Sequence, residues 1–580
     1  MGVPSFFAWL VKKYHNKLII NESEKIKEIK VNQLYIDANC LFHPQCFDVL
    51  AKSSKLDNDL DNNQLEAAMI KQILEYFHYL ISFTNPSDLI MIAVDGVAPM
   101  AKIKQQRLRR YKSAQDVEIR NKIKKKFRKP VKTVWSNIVI TPGTEFMELL
   151  HQEIKKFLAT EINNISSQKI IYSSYHEPGE GEHKIVDYIR NNPIDNIKLI
   201  YGLDADLIFL ASIISSKISP QIYLLREKNF LDSTKSQDEL IYFDIKSMIY
   251  HLKKEINKIY QNKYKRNISK SVNILDDFVV ICFFIGNDFI PHPPSIDIKT
   301  NAIDYMLSKY VICLKKFNKG LVKIDDSLKE TNINQVFLKE WLFEIVGKYN
   351  SHEKYYFTTL LPKFLKQNRI RKVKKMKEEK MSGYEKEIYC LDNLINQPFS
   401  SPISRSKYYQ KYFKINIYYN ESIDNICREF LKGVDWCLQY YYFGCVSWAW
   451  MYPYNKAPMI SDLCNYLNRN SKYNINKIKY LPSKNISIMN QLLLAVPPVY
   501  SNLLPVSYQY LMTSSKSPVS EMFPIENKID TDNKYLWWKC DVDMPILNNN
   551  RIVVEINKLK LTKLEIIRDQ ILKASINEKK

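Results

Sequence analysis

The sequence predicts an α/β protein, in which a mixed, mainly parallel sheet flanked by helices is followed by a second, mostly helical region packed on it. Two observations carry this prediction. Residues 1–300 alternate short apolar runs with helical patterns, which is typical of βα units in a parallel sheet. Residues 401–512 are instead dense in tyrosine and tryptophan, notably in "YYYFGCVSWAWMYPYNKAPMISDL" (440–463).

The predicted elements of the first half follow one another along the chain. Strands are expected at "QLYI" (33–36), "LIMIAV" (89–94), "KIIYS" (169–173) and "KLIYGL" (198–203). Helices are expected between them, for example over 65–81 and 145–162. A basic run at 368–381 is expected to be a solvated helix or a linker.

Composition narrows the class of protein. Lys and Arg number 85 against 62 acidic residues, a net charge of +23. This charge favours a polyanionic partner, most simply nucleic acid, although compositional bias in a chain rich in Lys, Asn, Ile and Tyr is the alternative. With 46% hydrophobic residues the chain can bury a sizeable core, which excludes wholesale disorder.

Targeting and redox signals are few. The longest apolar runs are too short to cross a bilayer, and the first residues lack the basic region of a signal peptide, so no membrane association is expected. The ten cysteines contain no CxxC pair, which predicts neither a disulfide framework nor a zinc site. A reducing intracellular compartment fits; we favour the cytoplasm, with the nucleus as the alternative because of clusters such as "KIKKKFRK" (122–129).

Acidic residues recur where the predicted strands end. Asp37 ends the first strand and Asp95 the second, while Asp204 and Asp206 follow the fourth. Because ligands of an open α/β sheet bind at the carboxyl edge of its strands, these side chains would converge on one patch. The alternative for each aspartate is an ordinary helix N-cap.

Three more acids stand at element ends. Glu180 and Glu182 straddle a glycine before a helical run, and Asp288 follows an apolar helix in "FFIGNDFIPH". Seven like charges cannot share a site without cations, and oxygen-only ligands select Mg²⁺, with Mn²⁺ as a substitute. Two such ions about 4 Å apart would activate a water and stabilise the leaving oxygen of a phosphodiester. "PGEGE" as an exposed turn is the alternative.

A basic helix follows Asp95. Pro99 suits the first turn of a helix, and Lys102, Gln106 and Arg109 then share one face, with Arg110 beside them. Such donors close to a metal site suit a terminal phosphate, which arginine can clamp with two parallel hydrogen bonds. An ordinary basic surface helix is the alternative.

These residues lie in segments that resemble the catalytic core of the Xrn-type 5′→3′ exoribonucleases. The matching stretches are "MGVPSFFAWL", "LYIDANCLFH", "VDGVAPMAKIKQQRLRR", "ITPGTEFM", "EPGEGEHKI", "YGLDADLI", "GNDFIPHPPS", "YYYFGCVSWAWMYPYNKAPMISDL" and "LLAVPPVYSNLLP". They occur in the family's order over roughly residues 1–300 and 430–525. The resemblance implies a nuclease core shared with flap endonucleases.

The resemblance also assigns roles. The family's metal-binding acids fall on the seven acids above, and its 5′-monophosphate pocket falls on Lys102, Gln106, Arg109 and Arg110. Its base-stacking histidine falls on His43, and the stacking tryptophan on Trp448 or Trp450. Two positions depart from the family pattern: Cys40 stands where glycine is usual and Met100 where arginine is usual.

The implied function is processive 5′→3′ hydrolysis of single-stranded RNA with a 5′-monophosphate, by two metal ions, in RNA decay or processing. The chain is expected to act as a monomer and to be a minimal core without the family's long C-terminal extension. A structure-specific DNA 5′-nuclease and a catalytically dead RNA-binding scaffold are the alternatives. The expected divisions are a catalytic domain (1–310), a variable linker or insert (311–400), a second region closing the site (401–525) and a C-terminal segment (526–580).

Overall fold

The structure is a computed structural model that describes residues 5–21, 23–55, 61–131, 135–164, 168–218, 221–227, 240–397, 404–418 and 420–572. Within these residues seven strands form one sheet. They are β1 (Ile19–Ile20), β2 (Gln33–Asp37), β3 (Leu89–Ala93), β4 (Lys169–Ser173), β5 (Ile197–Tyr201), β6 (Gln221–Glu227) and β7 (Leu240–Asp244).

The sheet is mixed and mainly parallel, which confirms the predicted class. Its order is β1-β7-β6-β5-β2-β3-β4, and the five strands from β6 to β4 are parallel. The four predicted strands are β2 to β5, within two residues at each end. β7 pairs antiparallel with β6 and β1, and these edge pairings were not predicted. The connections run in opposite directions from β2 and β5, so the carboxyl edge between them is the topological switch point where ligands bind in such sheets.

Ten helices flank this sheet among the described residues. They are α1 (Phe6–Leu18), α2 (Ser23–Glu28), α3 (Ala38–Lys55), α4 (Asn62–Thr84), α5 (Met100–Lys126), α6 (Glu145–Asn164), α7 (Gly181–Asn191), α8 (Asp206–Ile218), α9 (Ile245–Tyr264) and α10 (Ile274–Phe283). The predicted helices at 65–81 and 145–162 are α4 and α6. A capping box begins α4, in which the Asp61 carboxylate accepts from the Gln64 backbone N–H and the Gln64 side chain accepts in return.

The second half is mostly helical, as expected. Its elements are α11 (Ala302–Phe317), β8 (Val322–Asp325), β9 (Glu330–Ile333), α12 (Gln335–Val346), α13 (Ser351–Tyr355), α14 (Leu361–Glu378), α15 (Gly383–Asp392), α16 (Arg405–Phe413), α17 (Asn420–Phe443), α18 (Ile460–Arg469), α19 (Ile488–Ala495), α20 (Val506–Thr513), β10 (Lys528–Asp530), β11 (Asp541–Asp543), α21 (Asn549–Ile556) and α22 (Lys563–Asp569). A π-helical turn (Tyr356–Leu360) joins α13 to α14. The region 311–400, expected to be a variable linker or insert, contains α12 to α15, and α12 buries Trp341 in the main core.

The core lies on both faces of the sheet. Successive residues of a strand point to opposite faces, so Ile200 of β5 packs with α8, α10 and α17, whereas Leu199 and Tyr201 pack with α3, α4 and α6. The second region shares the first of these clusters through Trp436 of α17. The two halves therefore meet in one continuous interior. Among the described residues no helix is both long and apolar enough to cross a membrane.

Candidate active site

A cavity of about 920 Å³ opens at the carboxyl edge of β2, β3 and β5. It is lined by six of the seven predicted acids: Asp37, Asp95, Glu180, Glu182, Asp204 and Asp288. The four predicted phosphate ligands and the predicted stacking histidine line it too: Lys102, Gln106, Arg109, Arg110 and His43. Asp206, the seventh acid, is 2% exposed at the start of α8 and does not line the cavity. The structure thus brings the two predicted sets together.

The strand ends and one glycine position the acids. Asp37 ends β2, and Asp95 follows β3 by two residues. The Asp95 Oδ1 accepts from the Gly181 backbone N–H at 2.7 Å, which fixes the start of α7 and with it Glu180 and Glu182. A Cβ atom at Gly181 would lie 2.6 Å from the Asp37 Oδ1. Only glycine therefore allows α7 to approach the sheet this closely.

Helix capping does not account for Glu180. It is the N-cap residue of α7, yet its side chain accepts no cap hydrogen bond. Its carboxylate instead pairs with the ammonium group of Lys102, and the Lys102 Nζ also lies 2.7 Å from the Asp288 Oδ2. Lys102 was predicted as a phosphate ligand; the structure places it within the carboxylates, where it compensates part of their charge.

The carboxylates of this site repel one another in a buried setting. Burial raises the pKa of Asp37 well above its usual range, and the charge of Asp95 raises it further. Burial likewise raises the pKa of Glu182, together with the charges of Asp204 and Asp206. The pKa of Asp206 is raised to about 7, by burial first and by Asp288 second. These raised pKa values indicate that too little positive charge lies near Asp37, Glu182 and Asp206 to offset burial and mutual repulsion.

Several carboxylate oxygens have no partner. The Asp37 Oδ1, the Glu182 Oε2 and the Asp206 Oδ1 are buried and accept no hydrogen bond within the described part of the chain. Unsatisfied buried anions of this kind fit hard divalent cations, whose preferred ligands are carboxylate oxygens. As the described side chains stand, no three His, Cys, Asp or Glu residues are arranged so that they could hold one ion.

The basic side of the cavity also has unused polar atoms. The Gln106 Oε1, the Arg110 Nη1 and the His43 Nδ1 are buried and make no hydrogen bond to any described residue. Burial, with Arg109 close by, lowers the pKa of Arg110 to about 9, so this guanidinium still carries its charge at neutral pH. Burial and the charges of Arg109 and Arg110 lower the pKa of His43 to about 4, so its ring is neutral. The arrangement can receive an anion beside a neutral aromatic ring.

The second region contributes directly to the site. The Tyr440 hydroxyl of α17 donates to the Glu180 Oε1 at 3.3 Å, and the Met100 backbone N–H donates to the Trp448 carbonyl at 2.9 Å. Trp448 is half-exposed beside the start of α5. Trp450 is instead 8% exposed and stacks on Trp436, with the ring centroids 5.0 Å apart, so its ring belongs to the core.

Three hydrogen bonds hold α5 and the residues just before it against the second region. The Arg107 guanidinium donates to the Leu494 carbonyl at 2.7 Å and to the Met522 carbonyl, and it is buried. The Ala98 backbone N–H, just before α5, donates to the Gln491 Oε1 at 2.8 Å. Local spacing along the sequence carries no signal for these partners, because they lie hundreds of residues away.

One departure from the family pattern also touches the site. The Cys40 thiol donates to the Asp37 Oδ2 at 3.0 Å. A glycine at this position would leave that oxygen without this partner.

Comparisons with known proteins agree with this arrangement. The model of the XRN 5′-3′ exonuclease N-terminus matches residues 1–228, and the Xrn1 helical domain matches 269–389 and 361–576. The human 5′-3′ exoribonuclease 1 is 30% identical over 95% of this chain and 34% of its own length. The same-named protein of Saccharomyces cerevisiae is 26% identical over 95% and 43%, and the 5′-3′ exoribonuclease 2 of Arabidopsis thaliana is 26% identical over 99% and 69%.

The chain spans less than half the length of the first two relatives. A solved structure, the catalytic core of Rad2 in complex with DNA substrate, aligns over 82% of this chain and 97% of that chain at 12% identity. Its TM-score of 0.30 is too low to establish a shared fold. The two family models together cover both conserved regions. The chain therefore belongs to the Xrn family of 5′-3′ exonucleases.

Proposed function

We propose that this chain is a processive 5′→3′ exoribonuclease that converts 5′-monophosphorylated single-stranded RNA to nucleoside 5′-monophosphates, in RNA decay or processing. One observation carries the proposal: a single cavity joins the carboxylates to a basic group suited to a phosphate. We further propose that the protein acts as a monomer, in the cytoplasm or alternatively in the nucleus.

The carboxylates are the proposed ligands of two Mg²⁺ ions, for which Mn²⁺ would substitute. Support comes from the partnerless oxygens of Asp37, Glu182 and Asp206 and from the raised pKa of each of these acids. Bound ions would supply an activated water and stabilise the leaving oxygen of the phosphodiester. The protein's part is to hold the ligands at the strand ends and to exclude bulk water from them.

The basic side selects the end of the substrate. Gln106 and Arg110 present unused buried polar atoms to the cavity, and Arg109 adds a second guanidinium. The guanidinium groups of Arg109 and Arg110 can donate to a terminal monophosphate, whereas a cap or a triphosphate would have to fit further groups into the same cavity. The neutral ring of His43 and the half-exposed Trp448 would hold the leading bases by stacking, which every base allows.

The test uses one RNA carrying a 5′-monophosphate, a 5′-triphosphate or a 5′-hydroxyl, each in Mg²⁺ and in EDTA, with products resolved at single-nucleotide length. We expect mononucleotides from the monophosphate RNA alone, and with metal alone. Equal attack on all three ends would overturn the phosphate pocket. Preferential cleavage of a flap DNA of equal length would indicate a DNA 5′-nuclease, and tight binding without cleavage would indicate a scaffold.

A matched pair of variants localises the pocket. Arg110→Gln removes the buried guanidinium, whereas Arg120→Gln removes one from the same helix outside the cavity. We expect Arg110→Gln to raise KM for the monophosphate RNA at least about tenfold, since a hydrogen bond to a charged group contributes about 1.5–3 kcal/mol. Arg120→Gln should leave KM for a short RNA unchanged. Equal effects of the two variants would contradict the assignment.

A further inference from the structure

Positive charge is concentrated on two segments outside the cavity. Residues 120–129, at the end of α5, and residues 363–392, which form α14 and α15, contain 17 Lys and Arg and five acids. These 40 residues carry a net charge of +12, more than half of the +23 of the whole chain. We call them the basic ridge.

The two segments are distant in sequence but packed together. The ring of Phe127, at the end of α5, lies 6.1 Å from the ring of Tyr384 on α15. The Tyr389 hydroxyl of α15 donates to the Lys372 carbonyl of α14 at 3.4 Å. α15 therefore holds the end of α5 and α14 in one layer. The sequence shows the two as separate basic clusters, at 122–129 and 368–381, and the structure adds that they lie side by side.

The basic ridge begins on the face of α5 that lines the cavity. Gln106, Arg110 and Ser113 line the cavity, and Val117, Arg120 and Lys124 continue the same stripe at spacings of three and four residues. At 1.5 Å per residue, the 14 residues from Arg110 to Lys124 span about 21 Å. The ridge therefore lies on the same helix as the proposed phosphate pocket, within about 21 Å of it.

Much of this charge is not used within the protein. Some cations are paired, such as Lys126 with Glu387 at 2.7 Å. Lys124, Lys125, Arg371 and Lys377, in contrast, form no ion pair with any residue that the structure describes, and the last three of these side chains are exposed. Like charges this close repel one another and lower stability. The high density of unpaired positive charge on the ridge therefore fits the binding of a polyanion better than a structural role.

We propose that the basic ridge binds the RNA strand downstream of the 5′ end, through sequence-independent phosphate contacts, while the cavity holds the end itself. This inference rests on the proposed function for the identity of the polyanion. The ridge shares its helix with the proposed phosphate pocket, and this continuity favours the substrate strand over an acidic protein or a membrane. The ridge adds affinity for long RNA and lengthens each processive run.

The test neutralises the four unpaired cations together, as Lys124→Gln, Lys125→Gln, Arg371→Gln and Lys377→Gln. The matched control removes four exposed lysines on and just after α9, as Lys246→Gln, Lys258→Gln, Lys263→Gln and Lys270→Gln. Each protein is titrated in EDTA against a 6-nucleotide and a 30-nucleotide 5′-monophosphate RNA by fluorescence anisotropy at several salt concentrations. Release of mononucleotides in Mg²⁺ is measured in parallel.

The ridge variant should bind the 30-mer at least about tenfold more weakly and bind the 6-mer as the unsubstituted protein does. Its salt dependence should also fall, by about 0.7 in log–log slope for each lost phosphate contact and so by about 3 in all. The control should change neither. Unchanged binding of the 30-mer, or equal losses on both RNAs or in both variants, would overturn the proposal.

Two further outcomes are decisive. If polyglutamate or phosphatidylserine vesicles bind through the ridge in preference to RNA, its ligand is a protein or a membrane and the proposal fails. If the unsubstituted protein releases no mononucleotide while ridge-dependent binding of the 30-mer persists, the proposed hydrolysis fails and the ridge assignment stands.

Discussion

Gly181→Ala is a sharp test of how the carboxylates are positioned. The added methyl would lie 2.6 Å from the Asp37 Oδ1 and 3.0 Å from the Ala93 carbonyl, about 0.8 Å short of ordinary van der Waals contact in the first case. The backbone of Gly181 is not in the left-handed region, so alanine itself is tolerated there. Either the start of α7 or Asp37 must move, and with it Glu180 and Glu182.

A displacement of this size has separable effects on rate and stability. Misplacement of reacting groups by about 1 Å costs on the order of 100-fold in rate, equivalent to about 2.7 kcal/mol. Overpacking costs about 1–3 kcal/mol of unfolding free energy, which the better helix propensity of alanine partly offsets. We therefore expect a protein that stays folded in the absence of denaturant and turns over a short 5′-monophosphate RNA about 100-fold more slowly.

Gly383→Ala is the matched control. Gly383 is also the first residue of a helix, α15, and its added methyl would meet the ring of Phe127 at 3.0 Å, far from the carboxylates. Urea denaturation and single-turnover rates in saturating Mg²⁺ are measured for both variants. If Gly181→Ala cleaves within twofold of Gly383→Ala, the argument from close approach is refuted.

Three more predictions follow from the site. Asp206→Ala should abolish turnover and leave RNA binding intact, measured by product release and by anisotropy; a near-normal rate in Mg²⁺ would contradict its role as a ligand. In EDTA the melting temperature of Asp206→Asn should exceed that of the unsubstituted protein by more at pH 8 than at pH 5. The raised pKa of Asp206, about 7 against an ordinary 3.8, means that the folded state retains a proton that the unfolded chain loses, so the contribution of Asp206 to stability falls as pH rises from about 4 through 7, whereas asparagine stays neutral. Scanning calorimetry across that range checks the sign. Trp448→Ala should lower kcat/KM about 5- to 150-fold, as expected for a lost stacking contact of about 1–3 kcal/mol, with little change in stability. Trp450→Ala should instead lower the unfolding free energy by about 3–5 kcal/mol, measured by urea denaturation. If Trp448→Ala lowered stability and Trp450→Ala lowered kcat/KM, the assigned roles of the two residues would be exchanged.

Four of the five parallel strands could be predicted because each is a short apolar run that is buried in the sheet, and the acids because they stand directly after such runs. Asp37, Asp95 and Asp204 therefore reached one edge as expected. Strands β1, β6 and β7 were missed, because a short apolar run of two to seven residues cannot be told from a buried helix segment by periodicity alone.

What the sequence could not supply was long-range placement. The pairing of Lys102 with Glu180 and Asp288 depends on three segments meeting in space. Which tryptophan is free to stack on a base depends on packing: Trp450 stacks on Trp436, and the spacing of residues along the sequence does not reveal this contact. The packing of α5 and α14 around α15 likewise joins segments that are far apart in the chain, so no local sequence pattern predicts it.

The hydrogen bonds between α5 and the second region determine when the proposed active site is completed during synthesis of the chain. Arg107 and the Leu494 carbonyl are 387 residues apart in the chain, and Ala98 and Gln491 are 393 apart. Translation delivers the sheet and its carboxylates long before these partners leave the ribosome. A growing chain therefore holds the acids before the contacts that fix α5 can form, so the proposed active site is completed only once α19 has emerged.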